Sequence, residues 1–341
     1  MALITNSAHP LKPANEALTA GEHESSQGIS AEAPANAKSV TDLLSEAKAL
    51  SVLADYARLL SKYRRAHIAS QRAAHLFRLA GDVHGEVSAL TTLAHSASNL
   101  GRNEEAVEAA LLSVRLAEKL PPGLPTVMAH NYLGVAYLWS RNWERARMAF
   151  DEAIRVSEVC VPPVSGSQPF LNQCMGDLLR LYEGDLTNGQ QMRMDALAAL
   201  AKRLEQGFDG RQGPSLSRAA QSTQDCMSRL GLAIVYLSLG EVTKAPPLMD
   251  AARVFLVRAG VKNWMSVIDA WARAELALKT GDFVTAEKAS AEMVQVATDL
   301  EHEQLAHVGL LIRVRIAVLA KARLDAGSAA PDADSRATDA H

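Results

Sequence analysis

The histidines near the end of the chain are the first place to look for chemistry. His302-Glu303 followed by His307 has the make-up of a zinc-protease helix, where two imidazoles hold the metal and a glutamate activates water. Two ligands on one helical face must stand four residues apart, and these stand five apart. They therefore read as surface histidines on an end helix. His67 and His75 are separated by about two helical turns, yet no carboxylate or cysteine joins them as a ligand set. Cys160, Cys174 and Cys226 are odd in number and lack C-x-x-C spacing, so they read as reduced, packed thiols. A phosphate loop of the G-x-x-x-x-G-K-[ST] type is absent, and so is G-x-G-x-x-G after a strand. No serine sits in a nucleophile-elbow context. The expectation is a protein that is not an enzyme, with no cofactor and no metal.

Charge and hydropathy narrow the partners. The net charge is −3 with both signs interspersed, and no basic stripe of the kind that grips nucleic acid is visible. The short basic run Lys62-Tyr63-Arg64-Arg65 reads as a solvated turn. The opening residues, MALITNSAHPLKP, carry neither a charged n-region nor an apolar h-region. The longest apolar run, residues 308–319, is broken by Arg313 and Arg315, so no membrane span is expected and the location reads as cytoplasmic.

Any binding residues must therefore be positioned by the elements that composition implies. Hydrophobic residues make up 48% but aromatics only 5%, so the apolar content is mostly Ala and Leu, which are strong helix formers. Residues 1–38 and 325–341 are rich in Ala, Ser, Asp, Glu and Pro without helical periodicity and read as disordered. Residues 39–324 read as a helical array. Ala66, Ala106 and Ala146 recur every 40 residues, and Ala245 and Ala286 are 41 apart. The first four follow a Leu-small pair and a third marker, Leu53-Ala54 with Ala57, Leu93-Ala94 with Ala97, Leu133-Gly134 with Tyr137 and Leu232-Ala233 with Tyr236, and Ala286 follows Ala274 and Ala277. Residues 168–206 fill the long central gap as a degenerate unit around Met175-Gly176, with an inserted Gly-rich loop at 207–222. That makes about six helix pairs, each of which buries its apolar face only by stacking on the next.

The best-formed unit, residues 127–154, carries Leu133, Gly134, Tyr137, Ala146 and Phe150 in the order W-x2-L-G-x2-Y…A-x3-F, with His130 at the Trp place. On these residues the chain resembles the tetratricopeptide repeat family. Its forty-residue unit, and the segment Ala80-Gly81-Asp82…Gly85-Glu86, are similar to the sensor arrays of bacterial diguanylate cyclases and transcription regulators. Gly281-Asp282-Phe283 is a repeat turn rather than part of a cyclase signature. The resemblance implies an all-α, right-handed superhelical solenoid of antiparallel helix pairs with a concave groove.

Mapping the family's inward positions onto this sequence gives Thr91, His95, Ser98 and Asn99 in the second unit and Asn131, Val135, Leu138 and Trp139 in the third. The degenerate unit contributes Gln173, Asp177 and Arg180, and the sixth Trp271, Glu275 and Lys279. Amide side chains suit a peptide backbone because each both donates and accepts, and Trp139 and Trp271 could anchor apolar side chains. Two roles stay open: a scaffold that binds a protein or peptide segment in the groove, or the input module of a signalling system. The oligomeric state is open as well.

Overall fold

Residues in the left-handed region mark most of the turns: Ser61, Gly81, Gly101, Arg141, Gly240, Gly281 and Glu301, with φ from 55° to 84°. Each recurring alanine, from Ala66 to Ala286, lies five residues after one of them. The next N–H donates to the carbonyl five residues back: Lys62 to Ala57 at 2.8 Å, and Arg102 to Ala97, Asn142 to Tyr137, Glu241 to Tyr236 and Asp282 to Ala277 at 2.9 Å. This closure satisfies carbonyls that the ending helix leaves orphaned and reverses the chain. The alanine spacing is therefore the spacing of a backbone motif. Ser61, Arg141 and Glu301 adopt it without glycine's freedom.

The computed structural model describes residues 39–161, 164–183, 190–210, 218–259 and 263–328. Among them are thirteen α-helices: α1 Val40–Leu59, α2 Tyr63–Ala80, α3 Val83–Asn99, α4 Asn103–Ala117, α5 Leu124–Trp139, α6 Trp143–Val159 and α7 Ser167–Glu183. There follow α8 Gln190–Gly210, α9 Arg218–Leu239, α10 Ala245–Ala259, α11 Trp264–Lys279, α12 Phe283–Asp299 and α13 Glu303–Ser328. The expected disordered N-terminal segment lies outside the described residues, as does the C-terminal tail beyond Ser328. The last helix runs four residues past Leu324. Of the loop expected at 207–222, both flanks are helical and 211–217 lies outside the described residues.

Successive helices pack as antiparallel pairs, and the odd-numbered helices α1 to α13 also touch one another in order to form an inner layer. Small residues bring the layers together. A Cβ on Gly134 would lie 2.5 Å from the Phe150 ring, and one on Gly85 2.4 Å from the Phe77 ring, so each glycine is the seat of a buried aromatic. Leu133, Ala146 and Phe150 are buried, while half-buried Tyr137 packs between two core clusters under the Arg145 guanidinium. The cluster under α1–α6 is mostly alanine, whereas the one from α5 to α13 is built on Leu, Ile, Met and Trp271. All three cysteines are buried free thiols.

The array does not stay open. The start of α13 returns to the turns of the first three helix pairs. Glu301 Oε2 accepts from the backbone N–H of Arg64 at 3.0 Å. Gln304 Nε2 donates to Asn103 Oδ1 at 3.0 Å, and Arg141 Nη1 lies 3.4 Å from Gln304 Oε1. The His302 ring meets Tyr63 edge-on at 5.5 Å and Trp139 at 6.0 Å. Five of the other helices start on their own side-chain caps, Ser39, Asp82, Asn142, Asn263 and Asp282. Lys62 and Arg102, ahead of α2 and α4, make no capping bond, and their helices begin where the Glu301–Gln304 segment docks. A carboxylate from the far end of the chain thus serves the positive end of α2.

Two sequence readings are corrected here. In Lys62-Tyr63-Arg64-Arg65 the three basic side chains are exposed, as a solvated turn requires, but Tyr63 is buried and the Arg64 N–H holds the seam. His302 is no surface histidine but is buried where α13 begins, with its Nδ1 accepting from the Leu305 N–H at 3.4 Å; His307 is exposed. The residue after a left-handed turn is pinned by the backbone closure whatever its polarity, and here it faces inward.

Candidate functional site: a closed central cavity

Closure turns the concave side of the inner layer into a cavity of about 330 Å³. The first three helix pairs contribute Arg58, Tyr63, His95, Asn99, Tyr132, Val135, Leu138 and Trp139. Helix α7 adds Gln168, Asn172, Met175 and Leu179. The far side is Phe255, Asn263, Trp264, Met265, Ile268 and Trp271, completed by His302 and Leu305 from the returning helix. The lining includes no Asp or Glu.

Burial dominates the electrostatics. His95 is held well below the usual imidazole range, first by burial and then by the positive charges of Arg58 and of His302 when protonated. Burial pushes His302 down to about 3. The Tyr63 phenol is pushed up to about 12 by burial, with the Ser61 hydroxyl and Arg58 acting the other way. Both imidazoles are therefore neutral at neutral pH, and Arg58 carries the one formal charge of the lining. His95 Nε2 lies 3.1 Å from Asn99 Nδ2; with the amide as donor, the imidazole proton sits on Nδ1, which has no hydrogen-bond partner among the described residues. The His95 ring also packs on Tyr63 at 5.9 Å and Tyr132 at 4.7 Å.

The inward positions taken from the sequence fall into two groups. His95, Asn99, Val135, Leu138, Trp139 and Trp271 line the cavity together. Asn131 lies one layer behind, fully buried, and accepts through Oδ1 from Asn172 Nδ2 at 2.9 Å. Ser98 donates back to the Ala94 carbonyl inside its own helix. Thr91 donates to the Val87 carbonyl and lines a second hollow of about 320 Å³, which shares Arg58 and Tyr132 with the first. Gln173, Asp177 and Arg180 face away from the cavity. Asp177 pairs with Arg147 at 2.8 Å and Arg203 at 2.5 Å, and Gln173 donates to Asp151 at 2.6 Å. Glu275 is fully buried against Arg315 at 2.9 Å, and Lys279 is exposed.

In the degenerate unit the wall falls on Gln168, Asn172, Met175 and Leu179, a face turned by one position from Gln173 and Asp177. The sequence pass did not single out Arg58, Tyr132, Asn172 or His302 as lining residues. Tyr132 was within reach of helical periodicity, since 132, 135 and 139 share a face. Arg58 and His302 became lining residues only through a closure that no local pattern encodes.

No family model and no curated protein matches this chain. A solved structure of a Rap protein complexed with Competence and Sporulation Factor aligns with a TM-score of 0.52 at 13% identity, covering 90% of this chain and 80% of that one. The fold is that of a tetratricopeptide-like solenoid. BtubC from P. vanneervenii (TM-score 0.46, 17% identity, 75% of this chain and 93% of that one) is also similar. So is a tetratricopeptide repeat protein from Parabacteroides merdae (TM-score 0.41, 12% identity, 88% and 99%). Among the described residues no helix is long and apolar enough to cross a membrane, and no cluster of His, Cys, Asp and Glu could hold a metal ion.

Proposed function

We propose that the protein is a non-catalytic binding scaffold that takes a short peptide segment in the central cavity. The observation that carries this reading is the composition of the cavity lining. Amides at Asn99, Gln168, Asn172 and Asn263 line the same cavity as the rings of Trp139, Trp264 and Trp271. Amides pair with a peptide backbone, and aromatic surfaces accept its side chains. A volume of about 330 Å³ lies at the low end of small-ligand pockets and is too small for a helix, whose diameter is about 10–12 Å. The similar Rap protein is complexed with Competence and Sporulation Factor, which supports binding of another molecule by this fold. The lining offers two neutral imidazoles and no carboxylate to orient either, which suits recognition better than acid–base chemistry.

The direct test is selection from a random short-peptide library against the protein and against Val135→Trp, which fills the cavity. Enriched peptides should bind the wild type and lose at least about tenfold in affinity on the variant. No enrichment, or equal binding by a folded variant, would remove the reading.

The closure favours a second role for the same site, as an input module. Arg58 and Tyr63 on one side and His302 and Leu305 on the other come from opposite ends of the chain, so an occupant touching both ties them together. Small-angle scattering with a selected peptide should show a smaller radius of gyration than without it. An unchanged radius, together with unchanged hydrogen exchange at Arg64, speaks for a passive scaffold instead.

A further inference from the structure

We infer that copies of this chain associate head to tail, the exposed apolar face of α13 in one copy receiving the exposed apolar face of α1 in the next.

The repeat register identifies both faces. Helices α3 and α13 start from the same backbone closure, the Asp82 N–H donating to the Phe77 carbonyl at 3.0 Å and the His302 N–H to the Ala297 carbonyl at 2.8 Å. Position by position, α13 therefore repeats α3. In α3, Leu90, Thr91, Ala94 and Ser98 are buried, and Thr91 Oγ1 meets Ser113 Oγ of the following helix at 2.9 Å. Their counterparts in α13 are Leu310, Leu311, Val314 and Val318, all exposed, Val314 at 63%.

The start of the array shows the matching gap. Thr92, Ser96 and Leu100 are buried on the side of α3 that packs on the preceding unit, with Thr92 donating to Asp55 of α1 at 3.3 Å. One repeat of 40 residues earlier stand Val52, Tyr56 and Leu60, again all exposed, Tyr56 at 61%. One face is thus the place of a following unit and the other the place of a preceding one. Both are apolar, whereas the end units of a solenoid ordinarily turn a polar face to water. The seam uses neither, since it takes Glu301, His302 and Gln304 ahead of Leu310, and Tyr63, Arg64 and Asn103 beyond Leu60.

Charge decides which faces meet. Helix α13 carries Arg313, Arg315, Lys321 and Arg323 against Glu303 and Asp325, a net of +2. Helix α1 carries Asp42, Glu46 and Asp55 against Lys48 and Arg58, a net of −1. Two α13 faces set together across a two-fold axis repel, while α13 against α1 attracts. A contact between unlike faces leaves one of each open on every pair, so growth continues past a dimer unless the rotation closes a ring. Each face is a single helix wide, which makes the contact small and the association weak.

Sedimentation velocity on the intact protein from about 1 µM to about 300 µM tests this, with Val314→Glu and Tyr56→Glu as probes. Both side chains are exposed, so each variant should melt like the wild type. The wild type should sediment faster as concentration rises and pass beyond a dimer. Either variant alone should lose that rise, its self-association weakened at least about tenfold by a charge set in the apolar contact. Mixed in equal amounts, the two should form a dimer and stop there, because only one intact α13 face and one intact α1 face remain per pair. A dimer of Tyr56→Glu alone would mean that two α13 faces pair, and would overturn the head-to-tail assignment, as would a mixture that stays monomeric. A wild type that stays monomeric throughout overturns the proposal, and a rise that appears only after residues 1–38 are removed assigns the α1 face to that segment instead.

Discussion

The two sides of the cavity come from equivalent helices of the same repeat and differ in polarity. The side built by α1, α3 and α5 with the start of α2 presents Arg58, Tyr63, His95, Asn99 and Tyr132 beside the apolar Val135, Leu138 and Trp139. The side built by α10 to α13 presents Phe255, Trp264, Met265, Ile268, Trp271 and Leu305, relieved by Asn263 and His302. The packing behind each explains the difference. Alanine contacts fill the early cluster, so its inner helices approach closely and their inward positions are free of packing duty. The later cluster is filled by large side chains, and Trp271 belongs to the core and the cavity at once. The repeat fixes where an inward residue stands; whether it also holds the fold together depends on what packs behind it.

The sharpest way to break that contrast is Trp271→Ala. Trp271 is fully buried, and removing a core ring of this size costs about 3–5 kcal/mol. Urea denaturation should show the loss as a lowered midpoint at unchanged slope. A cost below about 1 kcal/mol would mean that the apolar side is lining only, and that the asymmetry drawn here is absent.

A smaller effect comes from acid, through the residue where the two sides meet. His302 has a folded-state value of about 3 against 6.5 for the free side chain. Between those values the unfolded chain binds a proton that the folded one does not. Stability is therefore complete above about pH 6.5 and falls as the pH drops toward 3. At about pH 5 the His302 share of the loss is about 2 kcal/mol, and His95, lowered by the same burial, adds in the same direction. His302→Phe keeps a ring between Tyr63 and Trp139 and removes the proton site, so the drop from about pH 7.5 to pH 5 should shrink in the variant. If the variant loses as much as the wild type, His302 is not where the acid acts.

How far the sequence reveals these features follows from what is local. The helix pairs and turn positions were legible because a left-handed closure recurs through Gly81, Gly101, Gly240 and Gly281, with an alanine five residues after most. Gly134 against Phe150 was legible for the same reason, since both positions belong to the repeat. In the regular units the inward face could be placed, so His95, Asn99, Val135 and Trp139 fall on the cavity. In the degenerate unit the markers are too worn to fix the phase, and the wall falls on Asn172 rather than Gln173. The closure was not legible at all. Its partners, Arg64 with Glu301 and Asn103 with Gln304, stand some two hundred residues apart, and each belongs to an ordinary helix start. The absence of a capping residue at Lys62 and Arg102 is a weak local trace, shared with Gly123 ahead of α5, and it acquires meaning only beside Glu301 and Gln304.

The mildest test concerns that seam, which holds the polar and apolar sides face to face. Glu301→Gln keeps the shape and an acceptor for the Arg64 N–H but removes the charge that complements the start of α2. The pair is partly solvated, with Glu301 33% and Arg64 70% exposed at the side chain, so the loss should be small. About 0.5 kcal/mol is expected, shrinking further in high salt. Global melting barely resolves such a change, whereas hydrogen exchange at Arg64 reads it directly. Protection there should fall in the variant while amides within α12 keep theirs, because the latter are held by packing that the substitution does not touch. Unchanged protection at Arg64 would place the strength of the seam in the packing of His302 between Tyr63 and Trp139, and would leave acid, rather than salt, as the way to part the two sides.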